Sequence, residues 1–471
     1  MSSQAQTQKR TFSENFVRFF DRWTPNSMVF AYLLTIIVAV LALIFTKAPL
    51  VISGGGKTSL VDAWVQGFWN LLLFSMQMAL IMITGSIVAT APPVRKLLQK
   101  VAAMPNNLFQ VFLLVGAVNA ILFWLHWGVG MMVSIQLGRQ VIISAKVKGF
   151  KLHTPAFVGL LYSFAIAGIG ISQAGPIYGA TPNGLRSLVP DAVKASIPEL
   201  IPLTESVLLP TNLIACIIVT IVVFIVCWTI RPKKESDIVE PTAELIAEIE
   251  AQNKIGAEKV KASSPAEWID NSITLSLIVG LAGLIWIIKF VATVGLGNIS
   301  INNFNFILLI LGILLCGSPN QFIKGVQNAV NSTWGVIIQF PFYAGIFGII
   351  VYTGLSTVIV NFFMSFATKE NFPFLCFVYS SILNMAVPSG GSKFVIEAPY
   401  ILDVASRLKV PIGVILNSYT AGDQVTNIIQ PFWALPYLAM FKIDFKKILP
   451  FTMFACIAGY IIHGLFFIFG Y

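Results

Sequence analysis

The sequence predicts an all-α integral membrane protein, arranged as an inverted repeat with two re-entrant hairpins and two broken helices. The composition, the long apolar runs and the paired interruptions of those runs predict it. Of the 471 residues, 56% are hydrophobic and only 11% are charged, whereas soluble domains carry about 25% charged residues to solvate their surfaces. Most of the surface must therefore face lipid.

Apolar runs cover almost the whole chain, and a bilayer span needs roughly 20 apolar residues. The candidates are 28–46, 64–90, 108–125, 155–180, 207–230, 272–292, 303–317, 330–353, 372–388, 412–440 and 448–470. Residues 1–27 are polar and basic, and no cleavage site follows them. We therefore expect a cytoplasmic N-terminal segment rather than a signal peptide.

A polar segment, residues 231–267, divides the chain near its midpoint. It is rich in acidic residues, which alternate with lysines, and has few apolar ones. We predict a solvated cytoplasmic linker with an amphipathic helix around 241–251. The linker would separate a first membrane repeat, 28–230, from a second, 268–471.

The two repeats have similar hydropathy. Each opens with a plain span, 28–46 or 272–292, and 303–317 is an extra span in the second repeat. Each later has an apolar run broken by glycines and then a glycine-containing span broken in its middle. Paired interruptions of this kind indicate the central site of a transporter. The predicted hairpins are about 107–146 and about 372–405, and the predicted broken helices are about 155–180 and about 412–440.

The positions of lysine and arginine predict the orientation. If both hairpins are re-entrant, most of these residues fall on the side of the N-terminus and the linker. Cytoplasmic loops carry such an excess. We therefore expect a multi-pass protein of the bacterial inner membrane with Tyr471 outside. The first hairpin would open inward and the second outward.

The second hairpin has the most polar turn. Pro388 stops a helix, and Gly390 and Gly391 let the backbone approach a ligand closely. The N-terminus of the next helix offers free N–H groups to an anion, and Lys393 adds a full charge. With the two neighbouring serine hydroxyls, this set suits one small carboxylate. The alternative is a tight turn whose lysine reaches the membrane surface.

Asp423 lies in an otherwise apolar stretch, where a carboxylate indicates function. It could bind Na⁺, carry H⁺ or form a static pair with Lys393. Glu397 follows Lys393 by four residues, so on a helix it lies on the same face. It is either the competing partner of Lys393 or a residue near the outer surface. In the first repeat, His126 is either a proton relay or an interior histidine with its hydrogen bonds satisfied.

Broken helices survive at membrane depth only where protein or a cavity surrounds them, so the four interrupted segments should converge. The predicted substrate-binding residues are Trp127, Gly128, Gly130, Ser172, Gln173, Ser389, Gly390, Gly391, Ser392 and Lys393. The predicted coupling-ion residues are Asn384, Asp423, Gln424, Thr426 and Asn427. Any metal here would be Na⁺ acting as the coupling ion.

The sequence favours no enzyme, because it has no nucleophile elbow, phosphate loop, metal-ligand cluster or pair of catalytic carboxylates. We expect no cofactor and no catalytic residue. The charge of +10 reflects cytoplasmic loops rather than nucleic-acid binding. A passive channel or exporter, and a membrane receptor without transport, remain alternatives to a secondary transporter.

Several blocks resemble the bacterial short-chain fatty acid transporter family, which lies within the wider ion-transporter superfamily. They are Phe68–Leu72, Met76–Ile81, Ala180–Pro182, Gln339–Ile346, Ala386–Gly391 and Gln430–Pro436. The resemblance implies import of small monocarboxylates, such as acetoacetate or butyrate, by symport with H⁺ or Na⁺. It also implies an elevator-type homodimer with a scaffold and a mobile domain. Relatives often have Gly-His-Trp after Pro-Ser-Gly-Gly, whereas this chain has Ser392-Lys393-Phe394.

Overall fold

The computed structural model describes residues 27–69, 72–167, 169–189, 191–254, 263–295, 301–330, 333–385, 390–430 and 433–471. Most of the predicted N-terminal segment lies outside these residues. Within them the regular structure consists of α-helices and short 3-10 helices, without a β-strand. The predicted all-α class is confirmed.

The first half contains ten helices among the described residues. They are α1 (Ser27–Thr46), α2 (Leu60–Phe68), α3 (Leu72–Thr90), α4 (Pro92–Ala102), α5 (Leu108–Leu125), α6 (Trp127–Lys148), α7 (Thr154–Ser163), α8 (Ala174–Gly179), α9 (Asp191–Lys194) and α10 (Pro210–Ile230).

The linker and the second half continue in the same style. Their helices are α11 (Ala243–Lys254), α12 (Pro265–Asp270), α13 (Ile273–Thr293), α14 (Ile301–Cys316), α15 (Pro319–Val330), α16 (Trp334–Tyr352), α17 (Leu355–Met364), α18 (Phe372–Asn384), α19 (Gly390–Leu408), α20 (Ile412–Asn427), α21 (Leu435–Phe441) and α22 (Phe445–Phe469).

Two pairs of helices are sharply bent. The axes of α3 and α4 differ by 67°, and those of α16 and α17 by 71°. The first bend coincides with Pro92 and Pro93 at the start of α4, where proline starts a new helix but cannot continue the old one. The second coincides with Gly354, whose φ of +80° places it in the left-handed region. The prolines at the first bend and the glycine at the second thus let the backbone change direction at the end of each span.

The predicted single span 64–90 is wrong, because α2 ends at Phe68 and α3 begins at Leu72. The helix α2 instead crosses α16 closely. Its Gly67 lies against α16, where a Cβ on Gly67 would stand 2.6 Å from the Cα atom of Gly348. Only two glycines allow backbones to approach this closely.

Packing of the remaining helices places the hairpins. The helix pair α5–α6 turns back at His126, and α18–α19 forms the second such pair. The second helix of each pair packs on a bent span: α6 packs on α3, and α19 packs on α16. The long helices α10 and α22 pack on each other and cover the opposite side of the hairpins and broken helices.

The linker helix α11 is docked on the bundle. Leu245 and Ile249 are each 1% exposed and belong to the same hydrophobic core as α6. Their spacing of four residues makes one apolar stripe on the helix. The amphipathic helix predicted around 241–251 therefore uses its apolar face against the membrane domain.

Candidate functional site

The turn of the first hairpin is capped by its own histidine. His126 Nδ1 accepts hydrogen bonds from the backbone N–H of Gly128 at 3.2 Å and of Val129 at 3.4 Å. Its ring stacks on Phe304, with centroids 3.7 Å apart. Two N–H donors at the start of α6 are thus occupied by the protein itself. The geometry favours the interior histidine over the proton relay.

The first broken helix meets this turn. The 3-10 helix Phe164–Ala167 follows α7, and α8 begins at Ala174. In the break, Ser172 Oγ accepts a hydrogen bond from the N–H of Trp127 at 3.0 Å. The N–H of Ile171 donates to the carbonyl of Trp124 at 3.0 Å. Gly170 lies so close that a Cβ would stand 1.8 Å from that carbonyl oxygen.

The second broken helix joins the first one. Gln424 Nε2, near the end of α20, donates to Gln173 Oε1 at 2.8 Å. The Tyr162 hydroxyl of α7 donates to the carbonyl of Asn427 at 2.7 Å. The tip of the first hairpin also reaches this region, because the rings of Trp127 and Trp433 lie 5.2 Å apart. Three of the four predicted interruptions thus share one buried region.

The second hairpin supplies the fourth. Asn384, at the end of α18, is fully buried. Its Nδ2 donates to the carbonyl of Asp423 at 2.8 Å, to Thr426 Oγ1 at 3.0 Å and to Asn427 Oδ1 at 2.9 Å. Gln430 Nε2 donates to the Asn384 carbonyl at 3.1 Å. The predicted coupling-ion residues therefore form one hydrogen-bonded group between α18 and α20.

Lys393 lies in the first turn of α19 and is completely buried. Its Nζ is 3.2 Å from Glu397 Oε1 and 3.6 Å from Asp423 Oδ1. It also donates to Ser380 Oγ and lies 4.1 Å from the centre of the Tyr419 ring. Glu397 is 0% exposed, so it is the competing partner rather than a residue at the outer surface.

The two carboxylates of this triad have different surroundings. Asp423 Oδ2 accepts from Asn427 Nδ2 at 3.2 Å and from Gln424 Nε2 at 3.3 Å. Among the described residues, neither oxygen of Glu397 accepts a well-aligned hydrogen bond, so Lys393 is its sole polar partner. With all three groups ionised, the triad of Lys393, Glu397 and Asp423 carries one net negative charge.

The remaining predicted site residues are placed as follows. Gly390 opens α19, where its carbonyl accepts from the Tyr419 hydroxyl at 2.5 Å. A Cβ on Gly390 would stand 2.9 Å from Asp423 Oδ2. Gly391 and Gly130 are buried. Ser389 and the side chain of Ser392 lie outside what the structure describes.

Sequence reasoning missed Ser380 and Tyr419, which contact Lys393 from α18 and α20. A signal was present, because Ser380 precedes Asn384 by four residues and Tyr419 precedes Asp423 by four. On a helix this spacing puts both members of a pair on one face. Across the described residues, no three His, Cys, Asp or Glu side chains form a metal-binding group.

The whole chain also resembles known proteins. The family model described as Short chain fatty acid transporter matches residues 9–470. A protein of Escherichia coli (strain K12) is 32% identical over 460 residues, covering 97% of this chain and 98% of that protein. A protein of Haemophilus influenzae is 33% identical over 456 residues, covering 96% and 98%. Both carry the name "Putative short-chain fatty acid transporter".

One solved structure supports the fold. The YdaH transporter of Alcanivorax borkumensis, whose crystal structure is described as showing an unusual topology, superposes with a TM-score of 0.55. The match covers 95% of this chain and 99% of that chain at 15% identity, so it concerns the fold alone. The family match spans nearly the full length, and the chain therefore belongs to the short-chain fatty acid transporter family.

Proposed function

We propose that the protein is a secondary active transporter that imports short-chain fatty acids and similar monocarboxylates, such as acetoacetate or butyrate, across the bacterial inner membrane. The observation that carries this proposal is the buried ammonium of Lys393, which joins the second hairpin to Asp423 of the second broken helix. That broken helix in turn contacts the first one through Gln424 and Gln173. A buried cation that exchanges one carboxylate partner for another suits a substrate with a single carboxylate.

The hairpins support the predicted orientation. At the base of the first, Lys148 Nζ donates to the carbonyl of Ala103 at 2.6 Å, and Lys146 pairs with Glu250 of the linker helix at 3.1 Å. At the base of the second, Ser406 Oγ contacts the carbonyl of Ser196 at 3.5 Å. Ser196 lies in the loop after the first broken helix, near Arg186 and Lys194, which the predicted orientation places outside. This supports hairpins that open on opposite sides, with the linker cytoplasmic and Tyr471 outside.

The packing also supports an inverted repeat. The first-half helix α1 packs on α16 and α17 of the second half, and the second-half helix α14 packs on α3 and α4 of the first half. Likewise α2 packs on α16, and α15 on α3. This symmetry makes α14, rather than α13, the counterpart of α1. The pairing of 28–46 with 272–292 that hydropathy favours is therefore replaced in our proposal, with α13 as the extra span.

The same packing supports an elevator mechanism. The bent spans α3 and α16, with α1, α2, α14 and α15, would form a scaffold, which would also hold the dimer contacts in the homodimer that the resemblance implies. The hairpins, broken helices, α10 and α22 would move against it as one body. Their contacts with the scaffold include two helix pairs, α3 with α6 and α16 with α19. These two pairs would be the surfaces along which the mobile body slides.

The coupling ion in this proposal is H⁺ or Na⁺. Three oxygen atoms, from Asp423, Thr426 and Asn427, converge on Asn384 Nδ2, as oxygens do around Na⁺. The buried carboxylates of Glu397 and Asp423 suit a proton instead.

Purified protein in proteoliposomes tests the function. We expect labelled acetoacetate to accumulate above its external concentration under an inward H⁺ or Na⁺ gradient and to exchange without one. Protein-free liposomes control for passive entry of the neutral acid. Equilibration without accumulation under either gradient would instead indicate a channel, and no uptake at all would contradict transport of these acids.

A further inference from the structure

We infer that Glu397 carries the coupling proton, and that its protonation frees Lys393 to bind the substrate carboxylate. This inference rests on the proposed function and deepens it by naming the ion and the residue. It starts from the triad geometry, in which one ammonium lies between two buried carboxylates.

The contacts of the two acids assign the proton. Amide groups of Gln424 and Asn427 donate to Asp423 and stabilise its charge, as hydrogen bonds to the ionised form do. Glu397 has no such donor among the described residues, and its charge depends on Lys393. When Lys393 turns away, Glu397 is left as a bare buried carboxylate, which neutralises by taking a proton rather than staying charged.

In the described part of the chain, few titratable or charged groups other than Lys393 and Asp423 surround Glu397. Those that interact with it are Lys393 and Tyr400 on α19, Cys376 and Tyr379 on α18, and Tyr419 and Asp423 on α20. The other elements packed against α19 carry Tyr178 on α8, Tyr343 and Tyr352 on α16, and Arg186 in the 3-10 helix Arg186–Leu188, while α17 carries no ionisable residue.

Charge balance then couples the two movements. A substrate anion alone would add a second net negative charge to the buried triad, which is costly. A proton that enters with it binds a Glu397 oxygen, ends the ion pair with Lys393 and keeps the net charge unchanged. Lys393 Nζ then donates to the substrate carboxylate. On the cytoplasmic side Glu397 releases the proton, and its ion pair with Lys393 re-forms. The substrate anion is then released.

The inference predicts electroneutral symport of one proton with each anion. Wild-type proteoliposomes should accumulate acetoacetate under an inward proton gradient, up to about tenfold for each pH unit. One pH unit of proton gradient supplies the same free energy that a tenfold concentration ratio of the anion requires. Clamping the membrane potential should not alter the accumulation. Na⁺ should not replace the proton gradient.

The variant Glu397→Gln keeps the shape of the protonated side chain but cannot release a proton. It should lose proton-driven accumulation, and its acetoacetate exchange should no longer vary with pH. The matched control is Asp403→Asn, on the same helix, where Asp403 pairs with the half-exposed Arg407 at 2.7 Å. This control should accumulate substrate as the wild type does.

A second measurement protects the test if Glu397→Gln fails to fold. Internal pH, followed with a trapped dye during net uptake by the wild type, should show acidification matched to the substrate that enters. Uptake without acidification, or accumulation by Glu397→Gln, would overturn the proton role of Glu397. If wild-type uptake were driven by Na⁺ alone, this inference would fail while the proposed function stands. If the wild type moved no monocarboxylate, the proposed function would fail first.

Discussion

The ammonium of Lys393 on α19 lies 3.6 Å from the carboxylate of Asp423 on α20, although the two residues are thirty positions apart in sequence. The contact joins the second hairpin to the second broken helix. Because both groups are buried, neither could keep its charge cheaply without the other or a substitute. A ligand that replaces one partner must therefore change the state of the rest of the site.

Gly390→Ala should block this contact without disturbing the rest of the fold. Its new Cβ would stand 2.9 Å from Asp423 Oδ2, so the Asp423 carboxylate or α19 must shift. Forcing a methyl group into a packed site costs about 1–3 kcal/mol. We expect uptake to fall sharply while thermal stability in detergent falls modestly. Gly54→Ala, which meets no atom within 4 Å, is the control, and equal uptake by the two variants would contradict the tight approach.

Arg139 should hold the linker helix to the transport site elements. Its side chain is 1% exposed and pairs with Glu248 at 2.9 Å, and it also donates to Gln252 at 3.0 Å and to the Met440 carbonyl. Arg139→Ala should lower the free energy of unfolding by about 2 kcal/mol or more, because the partly buried Glu248 carboxylate and two neutral acceptors lose their donor. Faster tryptic cleavage at the exposed lysines of the linker should accompany the loss.

The matched control for the linker is Lys146→Ala. Both side chains of the Lys146–Glu250 pair are about half exposed, and such pairs contribute about 0–1 kcal/mol. Equal effects of Arg139→Ala and Lys146→Ala would therefore show that Arg139 is not a buried anchor.

Hydrogen bonds from Lys442 to Glu244 and Glu248 raise the pKa of Lys442. The stabilisation from these ion pairs is therefore fully present at pH values below the ordinary pKa of lysine. It is lost only as the pH rises through the raised pKa of Lys442. The linker should thus stay docked at neutral pH.

The linker should be cytoplasmic. Ser236 and Ala195 are both exposed, and the orientation places them on opposite sides of the membrane. The five native cysteines are buried and should react slowly. In intact cells, an impermeant thiol reagent should label Ala195→Cys but not Ser236→Cys, and both should react after lysis. Labelling of Ser236→Cys in intact cells would reverse the topology.

Dicarboxylates should compete poorly. The triad offers one ammonium, and binding a second carboxylate would leave a charge without a partner in a low-dielectric site, which is costly. Excess succinate should therefore inhibit labelled acetoacetate uptake far less than butyrate does. Equal inhibition would show that a second cation reaches the site.

Composition and apolar runs were enough to predict the helical membrane class. A span in lipid needs apolar side chains, and its backbone groups must be hydrogen-bonded internally, as they are in a helix. They could not reveal α2 as a separate helix. Its close packing through Gly67 on Gly348 is a contact between residues far apart in sequence. Nor did hydropathy identify the partner of α1, since any two plain spans look alike until their packing is known.

The candidate site shows the same limit. Asp423 and Lys393 stood out because charge is rare in apolar runs. The role of Ser380 depends on which face of α18 meets α19, and a single sequence does not determine that. The position of Glu397 was open for the same reason. Its spacing placed it beside Lys393 but left its depth undetermined, and the fold buries it completely.

Removing Lys393 should harm the protein more than removing Asp423. Lys393→Met leaves Glu397 and Asp423 buried without a cation, and breaking such a group costs about 3–5 kcal/mol. Asp423→Asn keeps the Lys393–Glu397 pair at 3.2 Å, so its loss of thermal stability should be clearly smaller. Both should lose gradient-driven uptake. Lys393→Met removes the cation that binds the substrate, and without the charge of Asp423 a substrate anion can bind without a proton to balance it.

The triple variant Lys393→Met, Glu397→Gln, Asp423→Asn separates folding from transport. It removes every charge of the triad together, and replacing a buried ionic group by neutral side chains is often neutral or stabilising. Its melting temperature should therefore exceed that of Lys393→Met, while acetoacetate accumulation stays at the level of protein-free liposomes. Recovery of accumulation by the triple variant would show that the triad only stabilises the fold. A melting temperature as low for Asp423→Asn as for Lys393→Met would show that Glu397 does not hold the ammonium of Lys393.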